Sequence, residues 1–505
     1  MYDTNDKAHM KITSAISKGL VVTLLAVLYS MAVTAQTPRQ LLKGDYADPT
    51  VMRDGKDFYM THSSFFYGPG LLIWHSTDMV NWTPIANAVG YDGYSIFAPE
   101  ILKHDGRYYI YYPTSTGENY VVWADNVRGP WSKPVKLDVR GIDPGHIVGE
   151  DGRRYLFLNN GWIVPLSDDG LSVAGEAKKV YDGWRYPTTW ETEGDNMWLE
   201  SPKLIRRKGY FYMTSAEGGT AGPPTSHMCV SARSKSVYGP WENSPYNPSV
   251  HTYSKNEPWW SRGHGTVIDD ADGNWWIIYH AYAKNMHTLG RQTLIEPVKW
   301  KSDDWYVADS SKVAIAGECV MPDSEFDFTK TDRLPLTLTF WKEYALESLH
   351  FSRKGLKVDA KGSGPQDARM ILQTAGDECY EVETEVEVSG ENRGGMILFY
   401  NEKAFSGLMS DGNELVIYDN GKVVSAMKNA YGKRFRIKIG NVRNKMTIWI
   451  ASAKKKSRWN VVAEDVDVST LNHNVHGGFF ALRPAIVAEG DGQVGFRHFK
   501  YKKTN

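Results

Sequence analysis

One phrase recurs five times between Tyr46 and about Trp300, and it restricts the chain to very few folds. The phrase is a polar or acidic residue beside Pro or Gly, a short apolar strand, a charged turn with Gly, and an aromatic strand. It first reads Asp48-Pro-Thr-Val-Met-Arg-Asp-Gly55, followed by Lys56-Asp-Phe-Tyr-Met60. It returns at Ala98–Gly106, Asp143–Gly152, Glu200–Gly209 and His264–Gly273. The turn glycines Gly55, Gly106, Gly152, Gly209 and Gly273 stand 51, 46, 57 and 64 residues apart. That pitch suits one four-stranded propeller blade per repeat. Five blades make a closed ring of about 260 residues, and the first strand of each blade lines the central channel. Asp48, Glu100, Asp143, Glu200 and His264 therefore converge on one channel mouth.

After Trp300 the pattern changes. Residues 301–320 read as a connector with apolar residues to dock, among them Trp305, Tyr306, Val313 and Ile315. From about residue 321 to 505, short alternating strands such as Glu381–Val388 and Arg434–Ile439 are parted by turns such as Asp419-Asn-Gly421. This predicts a two-sheet β-sandwich, and the fold class is all-β. The sandwich is expected to be fixed to the propeller, because the connector is not rich in Gly, Ser or Pro.

The N-terminus reads differently. Lys11 and Lys18 precede an apolar run from Gly19 to Val33, and Val33-Thr34-Ala35 offers small residues for cleavage. Residues 1–35 are expected to be a secretory signal peptide, which leaves a secreted or periplasmic protein without a membrane anchor. The propeller is expected over 36–320. A net charge of −1 argues against a nucleic-acid partner. Three cysteines, Cys229, Cys319 and Cys379, imply no disulfide framework. The 18 Trp and 29 Tyr suit a protein that stacks on sugar rings, and equally an aromatic-rich core.

Glu200 stands between Trp198-Leu199 and Ser201-Pro202. Apolar neighbours disfavour a charged carboxylate, so its pKa should rise. An acid that keeps its proton near neutrality can protonate a leaving group. Taken alone, a buried Glu paired with a cation explains the stretch as well; the repeat of the layout in other blades favours chemistry.

With these residues in view, the chain resembles glycoside hydrolase family 43. The resemblance is carried by Ala47-Asp-Pro49, Phe97-Ala-Pro-Glu100, Ile142-Asp-Pro144, Leu199-Glu-Ser-Pro202, Gly263-His-Gly265 and Leu289-Gly-Arg291. Gly477–Arg483 and Phe496–Tyr501 resemble the concanavalin-like sandwich of the family's β-xylosidase-type members. The resemblance implies an inverting mechanism, with Asp48 as general base, Glu200 as general acid and Asp143 orienting Glu200 and raising its pKa. It implies that Arg291 reaches a sugar hydroxyl or the base, and that Phe97, Trp74, Trp198, Trp259 and Trp260 are candidate pocket walls. It places His264 at the channel axis, where relatives often hold calcium, and leaves the chemistry without a required cofactor. Glu100 is expected to have a hydrogen-bonding or structural role. The implied activity is exo-cleavage of a terminal β-D-xylose or α-L-arabinofuranose from plant cell-wall oligo- or polysaccharide. The alternatives are an endo-arabinanase, an exo-galactosidase of the same family, or a sugar-binding propeller without catalysis.

Overall fold

The computed structural model describes residues 38–194, 196–309, 324–454 and 457–505. The expected signal peptide and the boundary at residue 320 fall outside these residues.

Five antiparallel sheets form the five blades of a propeller. Blade one runs Thr50–Asp54, Asp57–Thr61, Gly70–Ser76 and Thr83–Val89. Blades two, three and four begin with Glu100–His104, Gly145–Val148 and Glu200–Arg207. Blade five contains Trp259–Asp269, Trp275–Ala283 and Arg291–Trp300, and its fourth strand is Arg39–Leu42 from the start of the described chain. Arg39 pairs with Ile295, so the ring closes on a strand some 250 residues away in sequence. The five turn glycines all have positive φ, from 64° at Gly55 to 82° at Gly273, and a Cβ at any of them would meet nothing within 4 Å. Backbone conformation, not space, explains glycine there.

Blades adhere through the apolar faces of their strands. Met52, Tyr59, Leu71 and Ile73 of blade one pack with Ile101, Tyr108, Ile110 and Val122 of blade two. Each such side chain contributes about 1.5–3 kcal/mol when fully buried.

The C-terminal part contains two eight-stranded antiparallel sheets, consistent with a concanavalin-like sandwich. Strand Cys379–Glu387 alternates as its sequence predicts, with Val382 and Val386 buried and Glu381 and Glu383 on the other face. Phe435, Ile437, Ile448, Phe496 and Phe499 complete the core between the sheets. One of these sheets takes its edge strand, Tyr67–Gly68, from a loop of blade one; Phe340 pairs with Gly68 and Trp341 with Tyr67. Lys43 pairs with Asp377 at 2.8 Å, and Thr288 donates to Asn444 at 2.5 Å. The sandwich is therefore built onto the propeller through strand pairing and buried polar contacts. Trp305 and Tyr306 of the connector are buried in the interior of blades four and five. Among the described residues, no helix is long and apolar enough to cross a membrane.

Candidate active site

The five phrases align on the residue before Pro or its Gly equivalent. At this position stand Asp48, Ala98, Asp143, Ser201 and His264. Four of them, Asp48, Asp143, Ser201 and His264, have left-handed backbone, with φ between 54° and 58°. Non-glycine residues pay for this conformation with strain, which is common where side chains must be aimed. The layer two residues further on contains Thr50, Glu100, Gly145, Lys203 and Thr266. Glu100 and Glu200, which look equivalent in sequence, are thus placed in different layers.

The inner layer holds a polar network centred on Lys203. Lys203 Nζ donates to Pro99 O at 2.7 Å, Glu100 Oε2 at 2.8 Å and Pro144 O at 3.0 Å. Thr50 Oγ1 donates to the same Glu100 oxygen at 2.9 Å. Three blades are tied by one buried ammonium, which is the structural part expected of Glu100. Gly145 completes the layer because a Cβ there would lie 1.6 Å from Pro202 O.

The outer layer opens into a cavity of about 110 Å³. Asp48, Asp143, Glu200, His264, Arg291, Phe97 and Trp198 all line it. Trp74 does not. It lies in the third strand of blade one, only 5% exposed, packed edge-on against Tyr46 and donating Nε1–H to His62 at 3.2 Å. Trp259 and Trp260 also stay out: Trp259 packs on the interior of blades four and five, and Trp260 lies against His287. An alternating strand gives aromatic residues to core and pocket alike, so their type alone does not separate the two.

Sequence reasoning missed several lining residues: Phe65, Ile142, Glu193, Gly219, Thr220, His227, His280 and Phe479. Phe479 comes from the sandwich, within the Gly477–Arg483 stretch that carried the resemblance. Its ring meets Phe97 edge-on at 6.0 Å, and the Arg291 guanidinium lies 5.4 Å from its centroid. Next to it, Leu482 N donates to Thr288 O at 2.8 Å, and Arg483 lies 3.6 Å over the ring of Tyr67. The sandwich thus supplies one wall.

The carboxyl groups differ sharply. Burial pushes the Asp48 carboxyl up, but the Arg291 guanidinium, with His264 and His280, holds it well below the usual range. Arg291 Nη1 donates to Asp48 Oδ1 at 2.9 Å, and Ser63 Oγ donates to Oδ2. The Asp48 N–H donates to His280 Nδ1 at 3.0 Å, and the same nitrogen lies 3.1 Å from Asp48 Oδ1; burial holds the His280 pKa down to about 4. Glu200 goes the other way. Burial comes first, then the charges of Asp143, Asp48 and Glu193, and together they push its carboxyl well up. Asp143 rises to about 7, through burial and then Asp48. One pocket therefore presents an ionised carboxylate and a carboxyl that keeps its proton, the requirement for concerted base and acid chemistry. Among the described residues, Arg291 Nη2 and His264 Nε2 are buried without a partner, which leaves both available to a guest in the cavity.

Asp48, His264 and His280 offer ligand atoms within 4.8 Å of one another, a cluster consistent with a divalent-metal site. Calcium takes six to eight oxygens. This cluster has one carboxylate, already committed to Arg291, so an ion there would take most of its ligands from water. The unpartnered His264 Nε2 fits such a water-borne ion, whose contribution would be fixed positive charge at the channel axis.

Fold and site together define a class: five-bladed propellers with a set of buried carboxyl groups at the axial mouth. Within it the chain belongs to glycosyl hydrolases family 43, whose family model matches residues 38–306. A xylosidase/arabinosidase of Butyrivibrio fibrisolvens is 31% identical over 338 residues, covering 61% of this chain and 63% of that protein. A non-reducing end alpha-L-arabinofuranosidase of Bacteroides ovatus is 32% identical over 289 residues, 52% of each chain. The chain spans between 52% and 63% of the length of these two relatives. A GH43 protein of Bacillus licheniformis has the same fold, with a TM-score of 0.83 at 24% identity, covering 92% of this chain and 100% of that one.

Proposed function

We propose that this chain is a secreted, exo-acting, inverting glycoside hydrolase. It removes a terminal pentose, β-D-xylose or α-L-arabinofuranose, from plant cell-wall oligo- or polysaccharide. The observation that carries this reading is the contrast between Asp48, held ionised by Arg291, and Glu200, held protonated, in one cavity. Asp48 takes a proton from water as the water attacks the anomeric carbon. Glu200 gives its proton to the glycosidic oxygen as that bond breaks. Asp143 stands beside His264, 3.8 Å from Nδ1, and its charge supports the protonated state of Glu200. Arg291 fixes Asp48 and has a second nitrogen free for a sugar hydroxyl.

The exo reading draws support from the size and closure of the cavity. At about 110 Å³, with a wall contributed by Phe479, it is small beside the roughly 300–1,000 Å³ of common ligand clefts. Relatives named as xylosidases and arabinofuranosidases support the pentose. The test is a panel of aryl xyloside, arabinofuranoside and galactoside, with released sugar quantified and the first-formed anomer read by proton NMR. Release of pentose with inverted configuration is expected. Galactose release alone, or a retained configuration, would overturn the reading.

A further inference from the structure

The segment before strand Glu200–Arg207 brings a fourth acidic residue, Glu193, to the cavity; its charge adds to the rise of the Glu200 carboxyl, but the reading above gives it no contact with substrate. It is firmly seated. Its N–H donates to Gly218 O at 2.9 Å and is also 2.8 Å from Ser226 Oγ, while its carbonyl accepts Trp198 Nε1–H at 2.6 Å. Its carboxylate Oε2 accepts the Ala221 N–H at 2.8 Å. The loop opposite is cut to fit it. A Cβ on Gly219 would come within 2.4 Å of Glu193 Oε2 and 2.9 Å of Trp198 Cδ1. Among the described residues, Oε1 has no hydrogen-bond partner, although the residue lines the cavity. Trp198 beside it is 38% exposed, so this wall is where the cavity meets solvent.

We infer that Glu193 is a specificity-determining residue for the leaving group, its free Oε1 meeting a hydroxyl of the sugar unit next to the scissile bond. The inference rests on the hydrolase reading above. Glu200 must face the glycosidic oxygen to protonate it, so the wall that carries Glu193 and Trp198 borders the departing side. Trp198 offers an apolar face for that sugar, and Glu193 supplies the polar contact that a bare aromatic leaving group cannot use. Burial lifts the Glu193 carboxyl while the Ala221 amide pulls it down, and the oxygen can meet a hydroxyl in either protonation state.

The test compares two substrates of the same released pentose: a disaccharide and a 4-nitrophenyl glycoside. Glu193→Gln keeps the acceptor for Ala221 N–H, and Glu193→Ala removes the group. For Glu193→Ala, kcat/KM on the disaccharide should fall about 10- to 100-fold, the weight of one charge-assisted hydrogen bond. The aryl glycoside should change less than about threefold, and Glu193→Gln should recover part of the disaccharide loss. Equal losses on both substrates, or no loss on either, would overturn the inference. Because the Glu193 charge also raises Glu200, the alkaline limb should move down on both substrates; that shift without a larger loss on the disaccharide would overturn the inference, since it assigns Glu193 to tuning Glu200 alone. If the wild-type protein cleaves neither substrate, the hydrolase reading itself has failed.

Discussion

Two layers of one ring, two residues apart along the same strands, treat their charges in opposite ways. At the axis, Lys203 has three acceptors, and one oxygen of Glu100 takes two donors. At the mouth, Arg291 and His264 keep unpartnered nitrogens, and Glu200 is surrounded by like charge. Neighbouring positions on the same strands thus yield a strut where the lysine is fully paired and a pocket open to a guest where nitrogens are left without partners. The comparison also separates what substitutions should do: those at the mouth change rate, and those at the axis change stability.

The largest effect should come from Asp48, the proposed base. Asp48→Asn removes the proton acceptor, and turnover on every substrate should fall roughly 10²- to 10⁴-fold, with no dependence on the leaving group. A variant whose loss tracks leaving-group basicity would place Asp48 on the acid side instead.

Glu200→Gln should show the complementary signature. Hydrolysis of poor leaving groups should drop by a similar factor, and that of activated aryl glycosides much less. The pH profile sharpens the point. As the proposed acid, Glu200 would act while protonated, and its pKa is raised, so activity should persist at neutrality and be lost as pH rises through that pKa. In the Gln variant, the alkaline limb on an activated substrate should vanish. A limb that stays in place would assign it to another group.

At the axis, Lys203→Met leaves the Glu100 carboxylate buried without its cation. Breaking a buried pair from one side costs about 3–5 kcal/mol, read by urea unfolding. Adding Glu100→Gln should restore much of that loss. If the double variant is as unstable as the single one, the lysine acts through its carbonyl contacts rather than its charge.

A smaller effect belongs to a carboxyl between these extremes. Glu217, in the second strand of blade four, accepts the Trp184 N–H at 2.6 Å through Oε1, while Oε2 is buried without a partner. Burial pushes its pKa up to about 8. The folded state therefore binds this proton more tightly than the unfolded chain does. Stability linked to it is complete below the unfolded pKa of 4.5 and is lost as pH rises through about 8. Glu217→Gln should flatten that decline by about 2–4 kcal/mol, at about 1.4 kcal/mol per unit, in unfolding curves taken from pH 5 to 9. An unchanged slope would mean the group is already solvated in the folded state.

The blades could be read from the sequence because each repeat must solve the same problem: a tight turn that needs positive φ, then a strand with two buried faces. The charged residues at strand starts could be read for the same reason. Two kinds of residue could not. Trp74, late in strand Gly70–Ser76 beside a bulge, faces the core, while Phe97, in the turn before Glu100–His104, faces the cavity; residue type alone records neither placement. Glu193, Thr220 and His227 come from loops whose lengths vary between blades, so repeat spacing does not reach them. Phe479 lay within a quoted motif, but only contact across the chain gives it a place in the pocket. The ring-closing strand Arg39–Leu42 is short, and nothing in it announces a partner in blade five.

That closing strand sets an order of events. Arg39–Leu42 is made early, but Arg291–Trp300, which it must join, follows about 250 residues later. On a ribosome adding roughly 5–20 residues per second, the first strand stays unpaired for tens of seconds. The loop strand Tyr67–Gly68 waits longer still, for Leu338–Trp341. Neither pairing can form until most of the chain exists, so the nascent protein passes through a stage with open sheet edges. Its yield in a cell should therefore depend on what shields those edges before blade five arrives, a demand that the finished, closed ring no longer shows.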